Sequence, residues 1–212
     1  MFDTAARRLL DPPLSGLAGL LDRPGVTPNG LTLLGLATGL ASAATAAGRL
    51  WWWALALWVF SRLMDGLDGP LARRRRAAAR GGEEGPRPEA GGFLDITADF
   101  VVYGATVIGV AVGATAQYEV GWLPFLGVLF AYYINGAAFL AFSSIAERTG
   151  RQRDDGRSLS FLGGLAEGTE TVAVHALWLL VPVHSGTIAT VWAGVVGISA
   201  AQRIVAGFRD LS

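Results

Sequence analysis

Apolar residues in this chain run on without alternating. Long stretches of Leu, Ala, Val, Gly, Phe and Trp fill about 29–48, 50–66, 92–113, 121–142, 167–183 and 185–206, separated by short polar segments. Runs of that length are too long for strands and match the ~20 residues a helix needs to cross a ~30 Å hydrocarbon layer. The pattern predicts an all-α polytopic membrane protein with six transmembrane helices. Ahead of them, residues 2–22 mix Phe2, Leu9, Leu10, Leu14, Leu17 and Leu20 with Asp3, Arg7, Arg8 and Asp11. That mixture predicts an amphipathic helix lying in the headgroup layer and broken near Pro12 and Pro13, with a poorly ordered tail as the other reading. The chain thus divides into an N-terminal juxtamembrane segment, 1–26, and one membrane domain, 27–212. The polar start and the late first apolar run predict no cleavable signal peptide.

Charge gives the orientation. All 17 basic residues are arginine, and with the N-terminus inside, every one except Arg49 falls at a cytosolic end or loop. This asymmetry places both termini on the cytoplasmic side of the cell membrane. Trp51, Trp52 and Trp53 suit an interfacial belt at the opposite end of the second span. The absence of cysteine excludes disulfides and iron–sulfur clusters, and nucleic acid is not an expected partner.

The candidate chemistry lies in two acidic segments, Asp65-Gly-Leu-Asp68-Gly69-Pro-Leu-Ala72-Arg73 and Gly91-Gly-Phe-Leu-Asp95-Ile-Thr-Ala-Asp99. The first pair is spaced i, i+3 and the second i, i+4, so on helices each pair projects from one face. Carboxylates at the edge of a hydrocarbon layer are costly unless they bind something positive. With hard oxygen donors, no cysteine and only His175 and His184, Mg²⁺ or Mn²⁺ is favoured over zinc. Gly66 and Gly69 let the backbone approach a phosphate ligand closely, and Arg73 offers a guanidinium fork for its oxygens. Taken singly, Asp65 and Asp68 also read as solvated helix-end charge, and Asp95 and Asp99 as helix N-terminal charge.

Together these residues resemble the signature DxxDGxxAR…GxxxDxxxD of the CDP-alcohol phosphatidyltransferases, with every fixed position present. Thr27-Pro28-Asn29-Gly30-Leu31-Thr32 is similar to the segment preceding the first membrane helix in many members. The resemblance implies that Asp65, Asp68 and Asp95 hold two divalent ions, with Asp99 beside the metals as general base. It further implies transfer of a phosphatidyl group, most often from CDP-diacylglycerol, to an alcohol hydroxyl with release of CMP. Asn29, Gly30, Leu31, Thr32, Gly69, Ala72 and Arg73 are the implied nucleotide and CDP-lipid contacts, although Asn29 and Thr32 also suit an ordinary helix start. A homodimer is implied too, and Gly35-xxx-Gly39 and Gly109-xxx-Gly113 permit close helix packing between or within copies. One departure is the long interval from Arg73 to Gly91, which has no Ser or Thr between 74 and 90, where family members often carry a nucleotide-contacting hydroxyl. Its Gly, Pro and charge content predicts a surface loop.

The acceptor is less legible. Arg148, Arg151 and Arg153 in a basic loop, Glu170 at the start of the fifth span and Arg203 near the inner end of the sixth are candidates for holding a small, anionic alcohol. Asn135 is a polar group inside an apolar run, facing a pocket or another helix, and His175 reads as a hydrogen-bonded interior histidine. Two other functions compete: a membrane prenyltransferase using a lipid diphosphate, whose Asp motifs differ, and a divalent-cation transporter, which would need acidic residues across the whole bilayer.

Overall fold

The computed structural model describes residues 2–78, 88–150, 166 and 168–212. All elements among them are helical: α1 (Phe2–Leu21), α2 (Pro28–Ala47), α3 (Trp51–Ala78), α4 (Pro88–Tyr118), α5 (Leu123–Arg148), α6 (Gly168–Leu180), a 3-10 turn at Pro182–His184, and α7 (Ser185–Leu211). Among the described residues, four segments are long and apolar enough, by length and composition, to cross a membrane: Pro28–Ala47, Glu89–Tyr118, Leu123–Arg148 and Pro182–Leu211. Two expected spans differ from that standard. α3 runs 28 residues, well past the apolar stretch, and carries Asp65, Asp68 and Arg73–Arg76 on the same continuous helix. α6 has 13 residues, which at 1.5 Å per residue spans about 20 Å.

The chain starts α2 with a cap one residue ahead of Pro28: Thr27 Oγ1 accepts from Gly30 N at 3.0 Å, and proline sits where no N–H is needed. At the far end of α2, Arg49 takes a left-handed conformation (φ 63°) and turns the chain directly into α3. There Trp51 donates to Gln117 at 2.8 Å and packs on Tyr118, while Trp52 and Trp53 are exposed. α3 therefore brings Asp68 back to Thr32 in the first turns of α2, and the start of α4 lies there too, with Gly91 beside Asn29.

Both small-residue stripes serve packing within the chain. A Cβ at Gly109 or Gly113 would strike the carbonyl of Ala43 or Ala46, and one at Gly39 would strike Val102 and Ser61. α2 is therefore wedged against α3 and α4 at near-backbone contact, which leaves these stripes no role in a dimer interface. The larger core joins Ala46, Trp58, Val107 and Val110 with Phe125, Trp178 and Val196 of the later helices.

α1 is a single helix through Pro12 and Pro13, where the sequence predicted a break. Both prolines are exposed, and the turns after them are held by Ala18, Leu14 and Leu21 against Leu31, Met64, Leu67 and Leu71. Burial of that apolar face offsets the two lost donors. Beyond it, Asp22 accepts from Arg75 at 3.0 Å and Arg74 at 3.2 Å, which hold its carboxyl below the ordinary aspartate range. The interval from Arg73 to Gly91, expected as a surface loop, is helical at both ends, because α3 continues to Ala78 and α4 already begins at Pro88; its middle, 79–87, lies outside the described residues.

Candidate active site

The two acidic pairs come together because α3 and α4 are joined at this end and both lean on α2. Asp65 is within electrostatic range of Asp68, Asp95 and Asp99, so the four carboxylates form one cluster. Asp68 is buried and accepts from Thr32 Oγ1 at 2.5 Å, while the same hydroxyl reaches Pro28 O at 3.2 Å. Thr32, expected to contact nucleotide, thus faces the carboxylates. Leu31 buries its side chain with Met64 and Leu67, so only its backbone can face a ligand.

A residue outside the motif stands in the middle of the cluster. Arg62 precedes Asp65 by one helical turn and points its Nη1 at Asp99 Oδ1, 2.6 Å away, and Asp65 Oδ2, 3.6 Å away. Its side chain is only 8% exposed. Trp58 and Tyr103 cover it, with ring centroids 5.2 and 5.3 Å from Cζ. Arg62 Nη2 donates to Ser61 Oγ at 3.0 Å, and that hydroxyl donates to Gly35 O at 2.6 Å. In the sequence Arg62 is one of the inside-facing orientation charges. Its place inside an apolar run, i, i−3 from an acidic residue, was the available signal.

As these side chains are placed, no three His, Asp or Glu groups among the described residues form a ready metal site. The donors nevertheless suit Mg²⁺ or Mn²⁺: they are all carboxylate oxygens, and the cluster already accommodates a cation, the Arg62 guanidinium.

Of the other predicted contacts, Asn29 is exposed and its Oδ1 lies 3.5 Å from where a Gly91 Cβ would stand, which puts the start of α2 beside the second motif. Arg73 is exposed one turn after Gly69, and its Nη1 would be 3.4 Å from a Gly69 Cβ. Ala72 is half-buried between them in sequence.

The acceptor candidates are dispersed over the later helices. Arg148 is exposed in the last turn of α5, and Glu170 is half-buried in the first turn of α6. Arg203 is buried, donates to Ala166 O at 3.5 Å and lies over the Phe139 ring at 5.9 Å. Arg151 and Arg153 lie outside the described residues. His175 is fully buried as expected: its Nδ1 is 2.7 Å from Thr171 O, and its ring stacks on Trp58 and Tyr103. Asn135 Oδ1 is buried without a hydrogen-bond partner.

Comparison with known proteins bears on this geometry. The chain is 36% identical over 217 residues to the inner membrane protein YnjF of Escherichia coli K12, covering 100% of this chain and 97% of that one. A crystal structure of Mycobacterium tuberculosis phosphatidylinositol phosphate synthase with CDP-DAG bound has a TM-score of 0.68, at 24% identity over 92% of this chain and 93% of that one. The same enzyme in complex with manganese and citrate gives 0.69 at 24% identity, over 92% of this chain and 88% of that one. At that identity the likeness establishes the fold. A family model described as CDP-alcohol phosphatidyltransferase matches residues 25–199, and with that span the chain belongs to the CDP-alcohol phosphatidyltransferase family.

Proposed function

We propose that this protein is a membrane enzyme that moves the phosphatidyl group of a CDP-linked lipid, CDP-diacylglycerol in the simplest case, to the hydroxyl of a small alcohol and releases CMP. The observation that carries the reading is the convergence of all four motif aspartates on facing turns of α3 and α4. A structural relative crystallised with CDP-DAG supports the donor, and the manganese complex supports a divalent cofactor. Family membership displaces the prenyltransferase and transporter readings.

Asp65, Asp68 and Asp95 would hold two Mg²⁺ or Mn²⁺ ions, with Asp99 at their edge. Bound there, such ions supply charge neutralisation for the pyrophosphate and the departing CMP. Thr32 fixes the rotamer of Asp68 through Oδ2. Arg62 fixes Asp99 through Oδ1, and Oδ2 is the oxygen we assign to the proton of the attacking hydroxyl. Arg73, exposed on the next turn of α3, is placed to take phosphate oxygens with its planar fork, and Asn29 and Gly30 border the same entrance. Gly69 keeps that approach open. Arg148, Glu170 and Arg203, with Arg151 and Arg153 from the sequence alone, are the residues we assign to recognition of an anionic alcohol.

In the bilayer we assign six crossings to α2 through α7, with α3 and α6 as the more polar and the shorter members. α1 would lie in the cytoplasmic interface with Leu17 and Leu20 toward lipid, and both termini and the carboxylates would face the cytoplasm. A homodimer belongs to the same reading, through surfaces other than the two glycine stripes. The deciding experiment incubates detergent-purified protein with CDP-diacylglycerol and a panel of alcohols, glycerol 3-phosphate, inositol phosphate and serine among them, and identifies the lipid product by mass spectrometry. CMP and one new phospholipid should form together. No CMP with any acceptor would overturn the proposal.

A further inference from the structure

We infer that Arg62 is a built-in competitor for the divalent cation, which keeps the substrate-free site from loading metal tightly and so ties metal binding to arrival of the nucleotide. The inference rests on the reading above that these carboxylates bind metal. It concerns a residue that is no part of the acidic motif.

A guanidinium inside a membrane protein is tolerated only where charge and donors are matched. For Arg62 that matching is built from both sides: Asp99 of α4 and Asp65 of α3 supply charge, Ser61 supplies an acceptor, and Trp58 and Tyr103 supply aromatic faces. Ser61 is itself fixed on Gly35 O, so the arrangement runs back to α2. The side chain is thus held among the carboxylates by packing as well as by charge. An oxygen of Asp99 that accepts from Arg62 at 2.6 Å is committed to that donor, and a divalent ion bound to the same carboxylates would stand close to a like charge.

The charge balance gives the competition a direction. Two divalent ions and one guanidinium exceed four carboxylates by one positive charge, an unfavourable excess in a poorly solvated site. Anionic pyrophosphate reverses it. Arg62 Nε is also buried with no hydrogen-bond partner, so the guanidinium retains a donor that its present contacts do not use. By linkage, a ligand that relieves the excess raises metal affinity and is itself bound more tightly with metal present.

The test measures Mn²⁺ binding to the purified full chain by electron paramagnetic resonance and calorimetry, with and without CDP as a soluble pyrophosphate probe. Wild type should bind Mn²⁺ about tenfold more tightly with CDP present, a difference equivalent to about 1.4 kcal/mol. Arg62→Gln should bind Mn²⁺ about tenfold more tightly than wild type without CDP and lose most of the CDP enhancement. Arg62→Lys keeps the charge and, as a variant less prone to misfold, should stay within about threefold of wild type. Unchanged or weaker Mn²⁺ affinity in monodisperse Arg62→Gln, or tightening of Arg62→Lys by tenfold, would overturn the inference. Absence of Mn²⁺ binding by wild type even with CDP present would instead defeat the metal reading on which it rests.

Discussion

The two halves of this molecule use polar residues in opposite ways. In α2 through α4, charge is gathered at one end and joined by direct contacts, Thr32 to Asp68, Arg62 to Asp99 and Asp65, and Ser61 to Gly35. In α5 through α7, polar groups are spread out and clothed in aromatics: Trp192 donates to Tyr132 at 2.7 Å, His175 lies against Trp58, Tyr103 and Trp178, and Arg203 lies over Phe139. Clustered carboxylates in an apolar setting need cationic partners such as Arg62, whereas neutral and aromatic-covered groups can be accommodated singly by packing.

The sharpest way to break that comparison is to remove charge from the first half without changing its shape. Asp65→Asn, Asp68→Asn or Asp95→Asn should each abolish turnover while the protein still inserts and stays monodisperse, measured by CMP release and size exclusion. Wild-type activity in any one would remove that residue from the metal set. Asp99→Asn should cost about 10² to 10⁴ in kcat, with less effect on CDP-lipid KM. A parallel collapse of CDP-lipid affinity would make Asp99 chiefly a ligand.

Perturbing the second half should act on one substrate only. Arg203→Ala should raise the acceptor KM about tenfold or more while the CDP-lipid KM changes less than about twofold, and Arg203→Lys should recover part of the loss. Equal effects on both substrates would move Arg203 to a shared or structural role and erase the division between halves. The smallest effect belongs to the tether of α1. Because Arg75 and Arg74 depress the Asp22 pKa, its stabilisation is fully present above the unfolded value near ~3.9 and is lost as pH falls through the lower folded value. Thermal stability of Asp22→Asn should therefore trail wild type only slightly at neutral pH and converge with it in acid, as the pH falls through the lowered folded value and the wild-type carboxylate is itself protonated.

The legibility of the sequence follows the same boundary. The four aspartates could be read because local spacing on a helix fixes which side chains share a face, and because carboxylates in apolar runs need a cation. The helix start at Pro28 could be read for a similar reason: capping is local, and Thr27 supplies it. What could not be read depended on contacts between distant segments. Arg62 looked like an orientation charge until α4 brought Asp99 to it. The glycine stripes served a second copy or internal packing equally well until α2 settled against Ser61 and Val102. Pro12 and Pro13 predicted a break, and burial of Ala18 and its neighbours on α3 outweighed the local preference. Arg203 and Glu170 were found by polarity alone, which names candidates without naming what they bind.

Metal-dependent CMP release from this carboxylate cluster is the deciding measurement. Protein stripped with chelator is given CDP-diacylglycerol and an active acceptor, and Mg²⁺ or Mn²⁺ is titrated back into wild type and Asp95→Asn. Release should be absent without metal, rise saturably in wild type and stay at background in Asp95→Asn at every concentration. Release that proceeds in stripped protein, or that is restored equally in both proteins, would contradict metal-dependent transfer at this cluster.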